Sequence, residues 1–70
     1  MICWLCLIRR ATDTHEIIPR SAGGKLEPDN QVLLCRQCHQ DVQKHWKSHV
    51  DQLRAAQVRA GELGLRKELK

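Results

Sequence analysis

Two Cys-x-x-Cys pairs, Cys3-Trp4-Leu5-Cys6 and Cys35-Arg36-Gln37-Cys38, constrain this chain more than any other feature of it. Together they offer four thiolates, the tetrahedral sulfur shell that zinc prefers. The chain needs such a staple. Its 70 residues make one small domain, and a domain of that size buries only about 60% of the surface its unfolded form exposes. Phe and Tyr are absent, and only Trp4 and Trp46 carry large aromatic surface, so the core is short of bulky side chains. Structural zinc supplies roughly 10–16 kcal/mol of apparent folding free energy in small peptides, more than so small a core provides.

The same cysteines would pair as disulfides in an oxidising compartment. Met1-Ile2 runs straight into Cys3, with neither the basic region nor the apolar run of an export signal. A reducing cytoplasm is therefore expected, where thiolates bind metal rather than each other. No apolar run approaches the ~20 residues of a membrane span, so no membrane partner is expected. A dithiol redox protein is the weakest alternative, because two pairs would be redundant and no βαβ pattern accompanies them.

The formal net charge of +4 and pI near 9.2 point to an acidic partner such as nucleic acid. Four bound thiolates and one dication reduce that charge to about +2. The excess lies in the second part of the chain: residues 1–40 hold five Lys/Arg against four Asp/Glu, whereas residues 41–70 hold seven against four.

Turn chemistry and periodicity place the elements. Ala11 to Ile18 reads as an extended segment rich in β-branched residues, ended by Pro19. Arg20 to Asn30 is a loop, with Ser21, Gly23, Gly24, Pro28 and Asp29 as turn-formers. Gln31 to Leu34 is short and apolar enough for a second strand. Val42, Trp46, Val50, Leu53, Ala56 and Ala60 then mark one face of a long helix, with Lys44, Lys47, Asp51 and Arg54 opposite. This stripe makes Trp46 a core residue. Gly61 is the expected stop, so residues 1–60 form the domain and residues 61–70 a tail or short helix. The fold class is a small zinc-stabilised α+β domain: strand, loop, strand and long C-terminal helix, clamped by two knuckles.

The run His15-Glu16-Ile17-Ile18-Pro19-Arg20-Ser21-Ala22-Gly23-Gly24, then Asn30, then Leu34-Cys35-Arg36-Gln37-Cys38-His39 resembles the HNH nucleases of the ββα-metal class. The resemblance spans residues 3 to about 46. It implies a metal-dependent DNA endonuclease of low sequence specificity, in which His15, four residues before Pro19, and His39 hold a catalytic divalent ion. Glu16 falls where the family usually has its histidine base, and Asn30 matches the central Asn that orients the loop. A carboxylate is a weaker base than an imidazole. Glu16 therefore acts as base or as an oxygen ligand, and the second role favours Mg²⁺ or Mn²⁺.

The usual second helix histidine is replaced by Gln43, and the nearest histidine is His45. On a straight helix His45 lies about 120° round from His39, so it joins the ion only if the helix is distorted. His45 and His49, four apart, share a face. Arg20 is expected either to touch phosphate or to pair with Glu16, and Lys44 and Lys47 to meet nucleic acid. Arg9-Arg10 reads as solvated or as a phosphate contact, and Asp13 as a turn or solvent residue. Small free-standing members of this family are often phage-carried, some acting beside DNA-packaging machinery. The resemblance thus implies a phage-encoded protein in a bacterial host cell, with DNA and a packaging protein as partners. A homodimer or partner would supply any long-site specificity. The competing reading is a non-catalytic, zinc-stabilised module that binds nucleic acid or protein, favoured by Glu16 and Gln43.

Overall fold

The computed structural model describes residues 1–68. Strand β1 (Asp13–Glu16) and strand β2 (Gln31–Leu34) are followed by helix α1 (Arg36–Lys44) and helix α2 (Trp46–Glu62), and a 3-10 turn at Leu65–Glu68 closes the described chain. The strands pair antiparallel, Asp13 opposite Leu34 and His15 opposite Val32. Regular pairing is shorter than the extended segment 11–18. Single backbone bonds continue it at both ends, Thr12 N–H to the Leu34 carbonyl and Ile17 N–H to that of Asn30. Residues 69 and 70 of the expected tail lie outside the described residues.

Ahead of the sheet, residues 2 to 10 fold back on themselves. Ile2 bridges Arg10, and Leu7 N–H donates to the Cys3 carbonyl across the first knuckle. Leu7 takes a φ of 58° there, a left-handed conformation that a bulky side chain enters only under tight local constraint. Trp4 N–H donates to the Leu33 carbonyl and so fastens this turn to β2.

The loop between the strands is braced by one side chain. Asn30 is buried; its Oδ1 accepts from Ile18 N–H at 2.9 Å, and its Nδ2 donates to the Ile18 and Lys25 carbonyls, each at 2.9 Å. Gly24 makes this possible, because a Cβ there would lie 1.7 Å from the Ile18 carbonyl oxygen.

The helical region departs from the single helix that periodicity predicts. It begins earlier, inside the second knuckle, with Cys35 as N-cap accepting from Cys38 N–H through sulfur. It also breaks at His45, whose φ of −139° and ψ of 60° are not helical. The His45 carbonyl is satisfied from the next turn, accepting from Ser48 Oγ and His49 Nδ1 at 2.8 Å each. The end is displaced as well. Gly61 lies within α2, and the left-handed residue that follows the helix is Gly64, with φ 76°.

Val42, Leu53, Ala56 and Ala60 of the apolar stripe are buried against Cys3, Trp4, Ile17, Val32 and Leu34. Trp46 is not: it is only half-buried, because the break at His45 shifts the phase of the helix just before it. Polar ties supplement this core. Gln57 donates to the Asp29 and Gln31 carbonyls at 2.7 and 3.1 Å, and Arg59 donates to the Trp4 carbonyl at 2.6 Å, linking α2 to β2 and to the first knuckle. Among the described residues no helix is long and apolar enough to cross a membrane.

Candidate functional site

Both knuckles converge. The sulfurs of Cys3, Cys6, Cys35 and Cys38 all lie within 4.8 Å of one another, and none is in a disulfide. Backbone amides point at them: Arg9 N–H reaches Cys6 Sγ at 3.5 Å and Cys38 N–H reaches Cys35 Sγ at 3.4 Å. The amides of Arg9 and Ile8 lower Cys6 to about 6, and the Cys38 amide lowers Cys35. Cys38 moves the other way, raised by burial and by the neighbouring Cys35 and Cys3 sulfurs. Four thiolates so close repel one another, and a dication removes that penalty. The cluster is positioned to bind a metal, and an all-sulfur set of four suits zinc.

A second constellation is built where β1 faces α1. Residues two apart on a strand share a face, so Asp13 and His15 point together towards His39 in the second turn of α1. The imidazoles of His15 and His39 stand 5.1 Å apart, centroid to centroid, at 68°. Two imidazoles sharing one cation, with metal–nitrogen bonds of about 2.1 Å and a tetrahedral angle, have centroids roughly 5 Å apart. His39 Nδ1 donates to Asp13 Oδ2 at 2.8 Å, which fixes the tautomer and leaves the Nε2 lone pair uncommitted. That bond, and then the Arg36 guanidinium 3.0 Å from the same oxygen, hold the Asp13 carboxyl below its usual range.

His15 is 7% exposed, and its Nε2 is buried with no hydrogen-bond partner. Burial, and next the nearby His39, push its pKa below the ordinary imidazole value. Glu16 Oε2 is likewise buried without a partner, while Oε1 lies 3.5 Å from Arg20 Nε. His15, Glu16, His39, Gln43 and Trp46 line one cleft of about 220 Å³. Orphaned polar atoms in a cleft are where an unpaired group calls for a ligand, and a nitrogen and carboxylate donor set fits a divalent ion. Among the described residues, however, only the four cysteines form a group of three or more ligands with donor atoms within 4.8 Å.

The other expected site residues fall elsewhere. Asn30 does not line the cleft; it supports β1 from behind through Ile18. Lys44, His45 and Lys47 line a separate surface hollow around the helix break, with Lys47 Nζ 5.9 Å from the Trp46 ring. His45 therefore does not join His15 and His39. His49 Nδ1 bonds the His45 backbone carbonyl. Asp13 is the residue that reading the sequence missed, although its position two before His15 on a strand signals the shared face.

The HNH endonuclease family model matches residues 1–45, and the chain belongs to that family. It is also similar to the protein named anaredoxin from Nostoc sp., at 34% identity over 44 residues, covering 63% of this chain and 55% of that protein. The chain thus spans about half the length of that relative. No solved structure matches it significantly.

Proposed function

We propose that the protein is a metal-dependent DNA endonuclease that hydrolyses phosphodiester bonds with little sequence readout. The observation that carries this reading is the partnerless, buried Nε2 of His15 beside a His39 ring whose other nitrogen is already committed to Asp13. His15 and His39 would hold a divalent cation, with Glu16 as neighbouring base or third, oxygen ligand. Held there, a divalent cation would supply positive charge for the scissile phosphate and leaving oxygen. The chain's own groups do the rest. Burial keeps the His15 ring neutral and able to donate a lone pair. Glu16 offers one unengaged carboxylate oxygen to a water proton, while Arg20 orients the other. Asn30 and Gly24 fix the loop that follows β1, which limits drift of His15 and Glu16 relative to α1.

Nicking of supercoiled DNA across Mg²⁺, Mn²⁺, Co²⁺, Ni²⁺ and Zn²⁺ tests the proposal. Wild type is expected to nick in at least one metal. His15→Ala should abolish nicking, and Glu16→Ala should slow it by about 10²–10⁴-fold if the carboxylate is the base. A protein that shifts DNA but leaves it intact in every metal is instead a binding module on the same scaffold. DNA as substrate, a phage or packaging context and a bacterial host cell belong to this proposal as expectations of the family.

A further inference from the structure

Seven arginines occur in the chain, and five are occupied by its own groups. Arg20 pairs with Glu16, Arg36 with Asp13 and Arg66 with Asp29, while Arg54 and Arg59 donate to backbone carbonyls. Arg9 and Arg10 are the exceptions: both are exposed, and among the described residues neither side chain makes an ion pair or hydrogen bond. The backbone holds them side by side all the same. Arg9 N–H is tied to Cys6 Sγ, its carbonyl accepts from Cys3 N–H, and Arg10 bridges Ile2.

These two arginines border an open hollow of about 680 Å³ with Thr12, Arg36, Gln37 and Gln40, on a wall shared with the start of α1. Asp41 and Cys35 of the thiolate cluster also line it, and Arg36 already shares Asp13, so among the described residues the cations on this wall without an ion-pair partner are Arg9 and Arg10. No acidic residue stands in the first turn of α1; Arg36 and Gln37 occupy its opening positions on this wall, while the Cys38 amide is taken by Cys35 Sγ. Convergent cations with amide-bearing neighbours repel one another until an anion arrives.

We propose that this hollow is a track for the phosphate backbone of duplex DNA, contacted by Arg9 and Arg10. The proposal rests on the nuclease reading above and adds the substrate-holding surface to it. The track adjoins the cleft through one side chain, since Asp13 bonds Arg36 on the hollow's wall and His39 in the cleft. Backbone contacts of this kind position a duplex without reading its sequence, in keeping with low specificity.

The test is binding of the zinc-loaded full chain, with no other divalent ion added, to two labelled duplexes of unrelated sequence over a range of salt. Arg9→Gln/Arg10→Gln should weaken both complexes alike, by at least about tenfold at 0.1 M salt, and reduce the slope of log K against log salt by about two. Arg9→Lys/Arg10→Lys should restore the slope. Lys25→Gln/Arg66→Gln removes equal charge at residues that do not line the hollow and should change the slope by well under one. Zinc content and far-ultraviolet circular dichroism confirm that each variant is folded. Unchanged affinity and slope in Arg9→Gln/Arg10→Gln overturns the track, as does an equal loss in Lys25→Gln/Arg66→Gln, and nicking by the wild type would still stand. No binding of either duplex by the wild type overturns the track and the nuclease reading together.

Discussion

Asp13 shows how much of the candidate site depends on a residue that touches no substrate. Its carboxylate is shared between His39 Nδ1 and Arg36 Nε, so it sets which His39 nitrogen faces the cleft. A carboxylate behind a ligating histidine typically contributes 10–100-fold in metal affinity or activity. Asp13→Ala should therefore leave the zinc cluster filled, lower nicking by about 10–100-fold, and change the His39 tautomer seen in nitrogen-15 imidazole spectra. Unaltered spectra would show that Asp13 does not orient the ring. The role of Asp13 was not legible in the sequence for a physical reason: an Asp between Thr12 and Thr14 reads as turn or solvent chemistry until α1 packs beside β1 and brings Arg36 and His39 to it. His15, Glu16 and His39 stood out through the resemblance to the HNH family, which needs no strand register to apply.

At the scale of elements, local signals placed the strands well and the helix poorly. Gln31–Leu34 is bounded by Asn30 and Cys35, each with a side chain that bonds backbone, and both ends fell where turn chemistry put them. The helix has no such punctuation at His45. Nothing in Lys44-His45-Trp46 forbids helix, and the break is sustained by the His45 carbonyl turning to Ser48 and His49. The break moves Trp46 out of the core and into the wall of the cleft. Trp4, at 1% exposed, takes the place expected of Trp46. Trp4→Ala should thus cost about 3–5 kcal/mol in chemical denaturation, and Trp46→Ala less than half of that. Equal losses would mean that Trp46 is core after all.

The whole molecule is held by its clamp more than by its core. The largest fully buried side chains are Trp4, Ile17, Leu34 and Leu53, with two valines and Cys3, too few to outweigh chain entropy by much in 70 residues. The cluster joins residues 3 and 6 to 35 and 38, so it ties the first turn to the junction of β2 and α1. The cysteine cluster and the His15–His39 cleft adjoin through α1, which is capped by Cys35 and carries His39 one turn later. Stripping the metal with a strong chelator under reducing conditions should abolish the cooperative unfolding transition and most of the helical signal, and adding back one equivalent of zinc should restore both. Retention of native helical signal in the chelated protein would assign stability to packing instead. The need for a clamp was legible in the four cysteines, whereas the polar ties from Gln57 and Arg59 were not, because they join residues far apart in the chain.

In the proposed nuclease, His15 and His39 share one cation that the cysteines do not hold. Proton spectra of the zinc-loaded protein titrated with Mn²⁺ test it directly. The ring protons of both histidines should broaden together at substoichiometric Mn²⁺, with those of His45 less affected, and His15→Ala should weaken the effect at His39. Broadening that spares either ring, or that survives His15→Ala unchanged, would contradict it.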